Sequence, residues 1–126
     1  MALRVLVLVE DNPDDRDLIK HVLQRYDANM QVESYLSAEG AIQYLRNHTP
    51  PDLMLVDLRL PSMSGIEFIY WTRQEKMTFP IVVITGLKEV PADLAETLKM
   101  QTSGYIVKDT FTLDKFKELV TLLKLS

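Results

Sequence analysis

The feature that most constrains this chain is a fivefold alternation of short, uninterrupted apolar runs with segments of helical periodicity. Leu3–Val9 is rich in leucine and valine, broken only by Arg4, and predicts a strand buried on both faces. Asn12-Pro13 ends it, and Leu18, Ile19, Val22, Leu23 and Tyr26 then recur at helical spacing. Met30–Leu36 predicts a second, amphipathic strand, and Ser37 is placed to cap a helix whose inner face is Ala38, Ala41, Ile42 and Leu45. After Pro50-Pro51 comes the buried run Leu53–Val56, ending at Asp57. The loop Leu60-Pro61-Ser62-Met63-Ser64-Gly65 leads to a helix carrying Ile66, Ile69, Tyr70 and Arg73. Pro80 opens a fourth run, Ile81–Ile84, ending at Thr85-Gly86, and Leu94, Ala95 and Leu98 mark a weaker fourth helix. Tyr105–Val107 is the fifth run, ending at Lys108, and Leu113, Phe116, Leu119, Val120 and Leu123 form a last amphipathic helix.

Five β–α units of this kind imply an α/β fold, a parallel sheet covered on both faces by helices. The 126 residues are expected to form a single domain, 1–126, with no interior linker and no repeat beyond the alternation itself. Only one helix follows Lys108, so a fused output domain is not expected within these residues. The chain has no cysteine, which excludes a disulfide framework, a zinc–thiolate site and thiol catalysis. With two histidines, His21 and His48, it is poorly equipped for a histidine-rich metal site or a Ser-His-Asp engine. No membrane-spanning run or secretion signal is visible, so a cytoplasmic location without membrane insertion is expected. The net charge of −4 gives no electrostatic case for nucleic acid. That charge is local: Glu10, Asp11, Asp14, Asp15 and Asp17 stand against Arg16 alone, and the rest of the chain balances.

In an open parallel sheet, ligands sit beyond the carboxyl ends of the strands, near the point where strand order reverses. Glu10-Asp11, Asp57, Thr85-Gly86 and Lys108 occupy four such ends. Closely placed carboxylates repel, and a hard divalent cation such as Mg2+ relieves that repulsion while leaving room for a phosphate oxygen. Asp57 can then act as the nucleophile toward a phosphoryl donor, with Thr85 and Lys108 holding phosphoryl oxygens. Taken singly, these residues have blander readings: a helix-capping acid pair, a turn aspartate, a β-forming threonine, a solvated lysine. Their conjunction on one sheet edge carries the argument.

The chain resembles a response-regulator receiver domain over essentially its whole length. The resemblance rests on Val9-Glu10-Asp11-Asn12, on Asp57-Leu58-Arg59-Leu60-Pro61 with Met63 and Gly65, on Thr85-Gly86, and on Tyr105 and Lys108. It implies a flavodoxin-like, doubly wound (βα)5 sheet of order 2-1-3-4-5. It also implies a phosphoryl group passed from a sensor histidine kinase or histidine phosphotransfer protein onto Asp57, within a two-component phosphorelay. Such a domain is no conventional enzyme; it catalyses its own aspartyl phosphorylation and dephosphorylation. The resemblance further implies Mg2+ held by Asp11, Asp57 and the backbone carbonyl of Arg59, with Glu10 nearby. Thr85 and Lys108 bind the phosphoryl group, and Thr85 and Tyr105 switch a surface made by the fourth helix, fifth strand and fifth helix. A downstream protein target is expected to read that surface, and a homodimer through the same α4-β5-α5 face stays open.

Three positions depart from the family pattern. Glu10 replaces the more usual Asp, Gly86 replaces a small residue with a side chain, and Asp109 replaces the proline after Lys108. A trans Lys108–Asp109 peptide is therefore expected. His21 is read as a surface or partner-facing residue and Trp71 as partial core. Three competing functions stand beside the receiver reading. A pseudo-receiver acting as a phosphorylation-independent interaction module should have lost one of the five site residues. A phosphatase with an aspartyl intermediate needs a further acid or base near Asp57. A flavin domain wants a Ser/Thr/Gly-rich first loop, and here that loop is Glu10-Asp11-Asn12-Pro13.

Overall fold

The computed structural model describes residues 3–86 and 92–125, without the side chains of residues 93, 94, 97, 98 and 100. Strands β1 (Val5–Val9), β2 (Gln31–Tyr35), β3 (Leu53–Asp57), β4 (Ile81–Thr85) and β5 (Gly104–Val107) alternate with five helices. These are α1 (Pro13–Tyr26), α2 (Ala38–Asn47), α3 (Gly65–Gln74), α4 (Ala92–Gln101) and α5 (Leu113–Leu122). The strands form one sheet of order β2-β1-β3-β4-β5, and all four pairings are parallel.

Continuous apolar strands make sense because each of the three central ones feeds two cores. Val7, Val9, Met54, Val56, Ile81 and Val83 point to one face, where α2 and α3 cover them with Ala41, Leu45, Phe68 and Ile69. Leu6, Leu8, Leu53, Leu55, Val82 and Ile84 point to the other, against Ile19 and Leu23 of α1 and Phe116 and Val120 of α5. A strand with water on one side would have alternated.

The helix starts follow the expected chemistry. Asn12 caps α1 by accepting from the Asp15 N–H at 3.0 Å, and Ser37 caps α2 by accepting from Gly40 N–H at 3.2 Å. Helix α3 has a full capping box, Ser64 with Glu67, a signal present in the sequence as Ser-x-x-Glu. Two helical faces differ from expectation. Leu18 is 52% exposed rather than packed with Ile19, because α1 buries only the stripe Ile19, Val22 and Leu23. In α3 the buried positions are Gly65, Phe68, Ile69 and Thr72, and Tyr70 is exposed. Trp71 is partial core, as expected, stacked on Phe68 with Arg46 over its ring. His21 is exposed. Helix α4 is present where Leu94, Ala95 and Leu98 marked it, and the side chains of Leu94 and Leu98 lie outside the described residues.

Helices α3 and α5 end without glycine. Lys76 and Lys124 take left-handed backbones, φ 62° and 59°. After α3, Lys76 N–H donates to the Arg73 carbonyl and Met77 N–H to that of Thr72, the paired bonds of a Schellman end. A side chain there costs about 1–2 kcal/mol, part of which glycine returns as chain entropy. Lys76→Gly should therefore raise unfolding free energy by about 0.5–1 kcal/mol. A urea titration measures it, and a lower midpoint in the variant would refute this account of the α3 end.

Candidate functional site

The strand order reverses between β1 and β3, and the residues that follow or end them meet there. Asp57 is the last residue of β3, and its side chain is 5% exposed. Its Oδ1 accepts the backbone N–H of Arg59 at 3.1 Å, and its Oδ2 accepts from Lys108 Nζ at 2.9 Å. Glu10, one residue past β1, is fully buried, while the neighbouring Asp11 is exposed. One carboxylate oxygen from each of Glu10, Asp11 and Asp57 falls within 4.8 Å of the other two. Thr85, the last residue of β4, is buried beside Val107 in the β5 register, and Gly86 lines the cleft.

Lys108 leaves β5 at the start of a single 3-10 turn and reaches back across the sheet edge. Its ammonium lies 2.6 Å from Glu10 Oε1, 2.9 Å from Asp57 Oδ2 and 3.0 Å from Asp15 Oδ2. Burial alone would pull its pKa down; the bonds to Asp57, Glu10 and Asp15 outweigh that and hold it above the ordinary lysine value. Burial pushes Glu10 the other way, up to about 7, against the pull of the Lys108 ammonium beside it. The close Asp57 carboxylate adds to that rise.

Asp11, Asn12, Pro13, Asp15, Asp57, Arg59, Gly86 and Lys108 enclose a cleft of about 510 Å3. The cluster fits a hard cation on its own chemistry. It offers three carboxylates whose oxygens converge, and among the described residues one ammonium, that of Lys108, faces the buried Glu10 and Asp57. The negative charge left over is costly to hold together unless a cation offsets it.

The local backbone explains how Asp57 is held. Gly65 N–H donates to the Leu58 carbonyl at 3.0 Å, folding the loop after β3 onto the start of α3. A Cβ at Gly65 would stand 2.2 Å from the Asp57 carbonyl oxygen and 2.8 Å from Leu58 Cα, so only glycine permits this approach. Tyr105, in β5, is 47% exposed on the outer surface. Asp109 is exposed, and no described peptide bond is cis. Sequence reading did not single out Asp15; its spacing within the acidic stretch gave no sign that Lys108 would return to it.

A doubly wound parallel sheet with an acidic, lysine-closed cleft at its switch point is the class that fold and site define. The family model for the response regulator receiver domain matches residues 6–121, and the chain belongs to that family. It is 30% identical over 135 residues to the alkaline phosphatase synthesis transcriptional regulatory protein SphR of Synechococcus elongatus, covering 99% of this chain and 50% of SphR. It is 38% identical over 108 residues to the transcriptional regulatory protein PhoP of Escherichia coli K12, covering 84% of this chain and 45% of PhoP. The chain thus spans about half the length of the curated relatives it matches. Among solved structures, the response regulator TrrA of Thermotoga maritima, in complex with Mg(2+)-BeF, superposes with a TM-score of 0.81 at 26% identity. That match covers 96% of this chain and 99% of TrrA. No helix among the described residues is long and apolar enough to cross a membrane.

Proposed function

We propose that this chain, acting as one domain over residues 1–126, accepts a phosphoryl group on Asp57 and signals by changed protein contacts. The observation that carries the reading is the state of Asp57: nearly buried, fixed through both oxygens, and open to the acidic cleft. A fixed carboxylate is a preoriented nucleophile. Its oxygen forms the new P–O bond while the P–N bond to the donor's histidine breaks. The imidazole nitrogen keeps the electron pair and takes up a proton, and Asp57 becomes an acyl phosphate. Water later cleaves that group to inorganic phosphate and restores the carboxylate.

Glu10, Asp11, Asp57 and the backbone carbonyl of Arg59 would hold Mg2+. When bound, the cation offsets the carboxylate repulsion and the charge on the phosphoryl oxygens. Lys108 turns its ammonium, and Thr85 its hydroxyl, to the phosphoryl oxygens. Tyr105, exposed in the strand next to that of Thr85, carries the change to the surface formed by α4, β5 and α5. The donor is a sensor histidine kinase or a histidine phosphotransfer protein, and a downstream protein reads the surface. TrrA, solved in complex with Mg(2+)-BeF, supports the pairing of a cation with an anionic ligand at such a site. An interaction module independent of phosphorylation would need none of Glu10, Asp11, Asp57, Thr85 and Lys108, and all five are present.

The test is phosphoryl uptake from acetyl phosphate with Mg2+, then with excess EDTA, in the parent and in Asp11→Ala. The parent should incorporate phosphate only with Mg2+. Asp11→Ala should need about tenfold more Mg2+ for half-maximal uptake, at the lower end of the losses seen when a metal site is disturbed. Uptake indifferent to EDTA, or equal Mg2+ requirements, would overturn the metal assignment.

A further inference from the structure

Lys108 has three ammonium hydrogens and three carboxylates within reach, and one of these, Asp15, belongs to neither a strand end nor the trio that can share a cation. Asp15 sits in the first turn of α1, where its own N–H is already used by the Asn12 cap and the helix dipole favours its negative charge. Its carboxylate is therefore free to face the cleft, which it lines, with a side-chain exposure of 38%. The Asp15–Lys108 bond, 3.0 Å long, joins residues 93 apart in the chain.

Resting on the proposed phosphoryl transfer, we infer that Asp15 is a positioning residue that competes with the phosphoryl group for Lys108 and so sets how readily Asp57 is phosphorylated and how long the phosphoryl group persists. Once Asp57 is an acyl phosphate, its carboxylate charge is gone and the phosphoryl oxygens become the stronger inner partner for Lys108. The hydrogen that served the Asp57 carboxylate turns to them first, and any further hydrogen they take is taken from Asp15 or Glu10. The negative Asp15 therefore opposes the phosphorylated arrangement. A neutral residue of the same shape removes that opposition and leaves the backbone cap intact, since the cap uses the Asp15 N–H and not its side chain.

The experiment compares the parent, Asp15→Asn, Asp15→Glu and Asp14→Asn in uptake from acetyl phosphate and in loss of phosphate after donor removal, at low and high salt. Asp14 is exposed, carries the same charge and makes none of the ion pairs found among the described residues. Asp15→Asn should take up phosphate faster and hold it roughly two- to fivefold longer, the range available to one partly exposed ion pair. Because the contact is direct, the longer lifetime should survive salt that screens charges beyond ~8 Å. Asp14→Asn should match the parent, and Asp15→Glu, which keeps the charge, should return most of the way to it. If Asp15→Asn and Asp14→Asn behave alike, or if high salt abolishes the difference, the charge acts at a distance and the inference fails. A parent that takes up no phosphate at all overturns instead the reading on which the inference rests.

Discussion

Gly65→Ala should destabilise the domain by about 3 kcal/mol, at the upper end of the usual cost of forcing extra volume into a packed site. The new methyl would meet backbone, the Asp57 carbonyl oxygen at 2.2 Å and Leu58 Cα at 2.8 Å, and backbone cannot rotate away as a side-chain tip can. Relief must come from pulling α3 away from β3 or from shifting the Asp57–Leu58 peptide. Either path disturbs the Gly65–Leu58 hydrogen bond and the Arg59 N–H that fixes Asp57 Oδ1. The variant should thus show a lower urea midpoint and, in its folded fraction, slower phosphoryl uptake. Parent-like values for both would mean that the close approach at Gly65 does not position Asp57.

The second large effect is expected at Lys108. Removing its ammonium leaves Glu10, fully buried, and Asp57, nearly so, without the one cation that faces both among the described residues. Breaking one side of a buried ion pair costs about 3–5 kcal/mol, because the remaining charge is stranded. With Lys108 itself 18% exposed, the lower figure, about 3 kcal/mol, is the expected loss for Lys108→Ala without Mg2+. Added Mg2+ should return more stability to this variant than to the parent, since binding to the folded state alone adds to stability and the variant's carboxylates have no competing ammonium. Phosphoryl uptake should remain possible in Lys108→Ala while the conformational response weakens. Denaturant titrations with and without Mg2+ measure the first part. Equal Mg2+ gains in both proteins would argue against a cation site shared among Glu10, Asp11 and Asp57.

The parallel sheet was legible because its central strands are apolar on both faces, a pattern that a half-solvated strand cannot show. The strand-end residues followed from it: once Val9, Val56, Ile84 and Val107 are placed in the sheet, Glu10, Asp57, Thr85 and Lys108 share one edge. Strand order was legible only through family resemblance, since nothing in the composition of a run says which run lies beside it. Short helices were harder. The ten residues of α3 carry apolar side chains on several sides, and packing chose Phe68 over Tyr70. Leu18 was misplaced for a similar reason, lying next to the buried stripe of α1 but outside it. The helix ends at Lys76 and Lys124 were hidden because their left-handed turns are filled by lysine where glycine would have announced them. Asp15 was hidden by distance along the chain, its partner lying 93 residues away.

The central claim is that Asp57 receives the phosphoryl group, and locating the modified residue tests it most directly. The parent and Asp57→Asn are incubated with acetyl phosphate and Mg2+, and the site is mapped by peptide mass spectrometry after reduction of the acyl phosphate with borohydride. The asparagine keeps the shape of the aspartate and removes its nucleophilic oxygen, so the fold should persist while uptake falls to background. In the parent, the modification should map to Asp57 alone. Uptake by Asp57→Asn at the parent's rate, with the modification on another residue in both proteins, would contradict the account.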